Sequence, residues 1–169
     1  MAMNLRHSID SGENSQGWLF RVAQILFLFS ARFTRGMTLG VRGMVLDAQG
    51  RIFLVRHTYV KGWHMPGGGV SAGETLMEAL VKELKEEGNL RLMQPAELVG
   101  VYCNRKASGR DHVAVFVVRD FVQDENKQPD REIAEAGFFS LKSLPEGTTQ
   151  STRRRIAEVL EGLPLSQEW

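Results

Sequence analysis

The sequence predicts an α/β chain of the α+β kind: a mixed sheet sandwiched between helices, preceded by an N-terminal helical extension. Three observations predict it. Strand-rich stretches flank one strongly amphipathic segment at residues 74–87, a second helical pattern follows at residues 149–160, and no repeat or linker divides the body of the chain. At 169 residues, 43% of them hydrophobic, the chain can bury one sizeable core. We place a tail and amphipathic helix in residues 1–36 and a single domain in residues 37–169.

Charge and thiol content narrow the function classes. Twenty-one Lys and Arg against twenty Asp and Glu leave a formal charge of +1, so no overall field draws in DNA or an anionic membrane, and no DNA partner is expected. The lone cysteine, Cys103, cannot form an internal disulfide, and a cysteine-based zinc site lacks thiols. A cytoplasmic location is the expectation.

Residues 1–16 are polar, rich in Ser, Asn, Asp and Gly, and read as a tail. Residues 17–34 are largely apolar, but Gln24, Arg32 and Arg35 keep the run below the roughly 20 residues of a membrane span. An amphipathic helix is expected there, packing on the domain or on a partner subunit as a homodimer contact, with a membrane-surface role as the alternative.

Residues 38–46 and 51–56 are β-branched or apolar runs around Asp47-Ala48-Gln49-Gly50, which predicts an antiparallel hairpin. A loop over 57–65 leads into Pro66-Gly67-Gly68-Gly69, whose glycines let the backbone take positive φ and approach a ligand closely. The helix over 74–87 stops at Gly88-Asn89, residues that tolerate the left-handed cap conformation. Strands follow at 98–103 and 112–122, joined by a basic loop over 104–111. A polar insertion over 123–131, a short strand at 136–140 and, after Leu144-Pro145, the last helix complete the chain.

The central helix carries the functional signal. At about 100° per residue with Leu76 at zero, Ala79, Leu80 and Leu84 form one stripe at roughly 300°, 40° and 80°. Glu83 and Glu87 fall inside that stripe at roughly 340° and 20°, and Glu86 lies on its edge at roughly 280°. Ionised groups on a packing face cost several kcal/mol unless paired or bound to metal. The negative end of the helix dipole disfavours acids in the last turn by a further ~0.3–1 kcal/mol each. Clustered acids there call for a hard divalent cation, Mg²⁺ with Mn²⁺ as a substitute, held by oxygen ligands. A solvated acidic helix end is the competing reading, and the glycines immediately before the helix weigh against it.

Gly68, then Glu74, then Lys82-Glu83-Leu84-Lys85-Glu86-Glu87-Gly88-Asn89-Leu90 resemble the signature of the Nudix hydrolases. The approach Trp63-His64-Met65-Pro66-Gly67-Gly68-Gly69 is similar as well. Two positions depart from the pattern: Lys82 stands where the family usually has Arg, and Asn89 where it usually has Gly. Lys82 keeps the charge but loses the bidentate fork.

The resemblance implies a Nudix-like fold and a pyrophosphohydrolase that cleaves a phosphoanhydride bond in a small molecule. The substrate class is a nucleoside diphosphate derivative or an oxidised nucleotide, with an RNA 5′ end as a variant that the near-neutral charge disfavours. It also implies that Glu83, Glu86, Glu87 and the carbonyl of Gly68 hold the metal, and that Glu74 and Lys82 brace the loop against the helix. A further acid comes from Glu132 or Glu135, with Glu132 preferred, and one of Glu83, Glu86 or Glu132 is the general base. Arg56, Tyr59, Trp63 and Arg105 are candidates for substrate binding, Trp63 having packing as its alternative and Arg105 a solvated hairpin tip. The other class of function is a catalytically silent Nudix-like module that binds a nucleotide or a protein.

Overall fold

Residues 36–169 are described by a computed structural model, so the expected tail, the expected N-terminal helix and any dimer contact through it lie outside the described residues. The described elements run β1 (Thr38–Val45), β2 (Arg51–His57), β3 (Trp63–His64), α1 (Leu76–Gly88), β4 (Leu90–Leu92), β5 (Glu97–Cys103), β6 (Asp111–Val118), β7 (Phe121–Gln123), β8 (Ile133–Ser140) and α2 (Gln150–Leu160).

The turn between β1 and β2 forms as its sequence predicts, with the Asp47 carboxylate accepting from the N–H groups of Gln49 and Arg51 at 3.0 and 2.8 Å. The hairpin does not continue. Beyond an isolated Leu46–Ile52 bridge the two strands diverge: β1 pairs in parallel with β6, while β2 pairs antiparallel with β3 and β8. Burial explains the correction. Ile52, Phe53, Leu54 and Val55 are all fully buried, so β2 needs cover on both faces rather than the one solvated face of a simple hairpin. The 112–122 run also divides. It breaks at exposed Arg119-Asp120, and β7 leaves the first sheet to pair with β4.

Alternation along the strands makes a sandwich. Val41, Val45, Phe53, Val55 and Phe116 point to one core with Ala79, Leu80 and Leu84 of α1; Met44, Leu46, Ile52, Leu54 and Val117 point to a second with Ile156 of α2. Each fully buried Leu contributes about 1.5–3 kcal/mol. The mixed sheets between two helices agree with the predicted fold class. No helix among the described residues is long and apolar enough to cross a membrane.

The arginine run at the start of α2 divides by burial. Arg153 and Arg154 are exposed, whereas Arg155 is wholly buried, 2.6 Å from Glu158 Oε1 and 3.9 Å from the Tyr102 ring centre. Its Nη1 donates to the carbonyl of Glu168 at 3.1 Å, which ties α2 to the C-terminal segment.

Candidate active site

The glycine loop occupies the edge of β1 that a hairpin partner would have taken. Val41 N–H donates to Gly68 O at 2.9 Å, Gly43 N–H to Pro66 O at 2.8 Å, and Val70 N–H to Leu39 O at 2.8 Å. Gly67 sits at φ 142°, and a Cβ there would overlap the Val41 carbonyl. A Cβ on Gly68 would overlap the Glu83 carboxylate, so loop backbone and helix acid touch only because Gly68 has no side chain.

Helix α1 delivers that acid. Thr75 caps it, with its hydroxyl accepting from Glu78 N–H and the Glu78 carboxylate accepting from Thr75 N–H. Asn89 ends it at φ 52°, the left-handed cap that the sequence predicts. Between these caps Ala79, Leu80 and Leu84 are buried, Glu87 is buried with them, Glu83 is half-buried and Glu86 is exposed.

Glu87 has a polar neighbour on each side. Its Oε2 accepts from Gly67 N–H at 2.7 Å, and its Oε1 lies 3.5 Å from Nε2 of the buried His57. Burial pushes its carboxyl up to about 7, against the opposing pull of the Gly67 hydrogen bond and the Arg42 charge. Glu83 is raised by burial too, with Lys82 opposing and Glu86 adding to the rise. His57 is lowered to about 4, by burial first and then by Arg42, which keeps its imidazole neutral. Arg42 projects from β1 beneath the acids, donating from Nη1 to Met65 O at 2.9 Å.

Glu83, Glu86, Glu87 and, from the opposite side, Glu132 line one open cleft of about 900 Å³. Lys82, Lys85, Lys127 and Arg131 line it as well. Among the described residues no three acidic or imidazole side chains close into a tight cage; the acids are spread along the cleft wall. Their chemistry fits a hard divalent cation all the same. The donors are carboxylate oxygens whose charge burial makes costly, and the carbonyl of Gly68, the residue against which Glu83 packs, retains one lone pair after accepting from Val41.

Glu74 accepts from Ser71 N–H at 2.8 Å and lies 4.0 Å from Lys82 Nζ, so both residues of the expected brace lie side by side. Glu132 and Glu135 separate: the first lines the cleft, while the second pairs with Arg56 at 2.9 Å. None of the four candidates for substrate contact lines the cleft. Trp63 is a core residue, 6% exposed and edge-on to Phe139, because β3 turns its ring inward. Arg56 lies over that ring, 5.7 Å from its centre. Arg105 pairs with Glu168 at 3.2 Å on the far hairpin. Tyr59 is 70% exposed yet close enough to the acids that, after burial, Glu87 and Glu132 help raise its phenol.

Sequence reasoning missed Arg42, the pairing of His57 with Glu87, and Lys127, Asp130 and Arg131. A charged residue inside the apolar run Val41 to Leu46 was a readable signal for Arg42. Lys127 to Arg131 fall in a polar insertion that looks like any solvated loop.

Comparisons agree with this architecture. The NUDIX domain family model matches residues 36–160. The chain is similar to an ADP-ribose pyrophosphatase of Methanocaldococcus jannaschii, 35% identical over 106 residues that cover 60% of this chain and 62% of that protein. It is also similar to the 8-oxo-dGDP phosphatase NUDT18 of Mus musculus, 31% identical over 70% of this chain and 37% of that one. The match thus spans less than two thirds of either relative. Among solved structures, a MutT NUDIX hydrolase from Burkholderia pseudomallei superposes with a TM-score of 0.63 at 24% identity, covering 72% of this chain and 97% of that one. A UDP-X diphosphatase gives 0.61 at 26% identity, covering 84% and 70%. With its glycine loop, its helix acids and this family match, the chain belongs to the NUDIX domain family.

Proposed function

We propose that the chain hydrolyses a phosphoanhydride bond in a nucleoside diphosphate derivative, using Mg²⁺ or Mn²⁺. The observation that carries this reading is the meeting of Glu83, Glu86 and Glu87 from α1 with Glu132 from the loop before β8 on one cleft beside Gly68. The relatives named for ADP-ribose and 8-oxo-dGDP point to the same substrate class.

Glu83, Glu86, Glu87 and the Gly68 carbonyl would hold the cation. When bound, it neutralises charge on the phosphate oxygens and lowers the pKa of water. Gly67 N–H and His57 keep the Glu87 carboxylate turned inward, and Arg42 supplies a fixed positive charge beneath it. A carboxylate of Glu83, Glu86 or Glu132 takes the proton from the attacking water, whose oxygen bonds to one phosphorus as the bridging oxygen leaves with the other. Lys82 and Glu74 steady the loop while this happens. We further assign the catalytic body to residues 37–169, a cytoplasmic location, and pairing of subunits to the helix expected before it.

Phosphate release over a panel of nucleoside diphosphate compounds, with and without Mg²⁺, tests the reading. Cation-dependent turnover is expected, falling about 100-fold or more in Glu86→Gln. Equal turnover in the variant removes the metal assignment.

A further inference from the structure

A diphosphate entering the cleft meets carboxylates on the α1 wall, where a cation must sit between the two. Its oxygens on the far side need donors from the other wall. Of the four cations lining the cleft, Lys82 lies 4.0 Å from Glu74 and Lys127 lies 2.5 Å from Asp130. Lys85 belongs to the last turn of α1, on the acids' own helix, where it compensates the negative helix end. Arg131 differs: it stands on the opposite wall and pairs with no carboxylate among the described residues.

The backbone beneath Arg131 is tied down. Thr58 Oγ1 donates to the Arg131 carbonyl at 2.8 Å, and Thr58 N–H donates to the Glu132 carbonyl at 2.9 Å. Asp130 Oδ1 accepts from the N–H groups of Glu132 and Ile133 at 2.9 and 2.8 Å, and Asp130 N–H donates to Ile133 O at 2.8 Å. Where this turn joins β8, the β2–β8 register slips between Arg56 and His57, a bulge of the kind that re-aims side chains. A solvated loop needs none of this. Here one hydrogen bond holds the Arg131 backbone, two hold that of Glu132, and two more close the turn between Asp130 and Ile133, so the backbone that brings a cation and an acid to the cleft is fixed.

We propose that Arg131 is a diphosphate-binding residue whose guanidinium takes the phosphate oxygens facing away from the α1 carboxylates, with Thr58 anchoring its backbone and Asp130 closing the turn beside it. This rests on the hydrolase reading given above. The planar fork presents two parallel N–H donors to two oxygens of one phosphate, which a lysine cannot do.

The test compares the full chain with Arg131→Met and Arg131→Lys in two measurements. One is equilibrium binding of α,β-methylene-ADP with Mg²⁺; the other is steady-state kinetics on whichever panel compound turns over fastest. Arg131→Met is expected to weaken analogue binding and raise KM by about 10- to 100-fold, the scale of losing charge-assisted hydrogen bonds. Its kcat should stay within about threefold, and Mn²⁺ binding to the free protein should be unchanged, because Arg131 touches no α1 acid. Arg131→Lys should recover only part of the loss. Unaltered KM and analogue binding in Arg131→Met overturn the proposal while an active wild type leaves the hydrolase reading standing. A wild type that neither binds the analogue nor turns over any compound removes both.

Discussion

Replacing Glu87 with Gln isolates what burying that acid costs. Burial penalises the ionised form and pushes the folded carboxyl up to about 7, against 4.5 for the free group. A pKa raised by folding means a stability contribution that is complete below 4.5 and is lost as pH rises through about 7. At about 1.4 kcal/mol per pH unit, the displacement is worth about 3 kcal/mol. Glu87 is 7% exposed, so solvent screens little of it. Gln keeps an oxygen that can accept from Gly67 N–H and sheds the charge. In EDTA, the stability of Glu87→Gln relative to wild type is therefore expected to rise by about 3 kcal/mol between pH 4.5 and pH 8. Thermal melts should show this as a relative gain of roughly 6–12 °C for a domain of this size. Adding Mn²⁺ should reverse the order at pH 8, because binding then stabilises wild type more than the variant. A stability difference that stays flat across that pH range refutes the claim that the inward-facing charge is what the site must offset.

Gly68→Ala puts a methyl where the Glu83 carboxylate lies; kinetics should show kcat/KM reduced at least about tenfold, and melts a loss of ~1–3 kcal/mol. Arg155→Ala strands Glu158 as a buried charge, so chemical denaturation should show a loss of about 3–5 kcal/mol, with Arg155→Met plus Glu158→Leu recovering much of it. Asp130→Ala releases the turn beneath Glu132, and kinetics should show loss of turnover with Mn²⁺ affinity retained. Asp130 is held down at about 2, chiefly by hydrogen bonding to Ile133 N–H and the Lys127 ammonium. Its stabilisation of the turn is therefore present above 3.8 and lost as pH falls through about 2, a dependence that amide exchange of Glu132 should report.

The legible parts of the site were those written on a single helix. The placement of Glu83 and Glu87 on the leucine stripe of α1 follows from a repeat of about 3.6 residues, and the helix's left-handed end at Asn89 from the tolerance of Gly and Asn for that conformation. Trp63 shows where such reading stops. An aromatic ring beside a glycine loop suits a ligand or a core equally, and only the pairing of β3 with Val55 and Arg56 turned it inward.

By itself the sequence determined the two helices, the turn at Asp47 to Gly50, the oxygen-rich character of the acids and the glycines that let a helix carboxylate touch the loop. Tertiary structure alone decided that β1 joins β6 across more than seventy residues instead of β2, and that Arg42 lies beneath the acids. It alone set Arg131, rather than Arg105, on the cleft beside Glu132 and turned Glu135 to Arg56. The division has one cause. Helix periodicity and turn chemistry depend on neighbours a few residues away, whereas strand partners and the aim of a loop are chosen by which distant surfaces must leave water together.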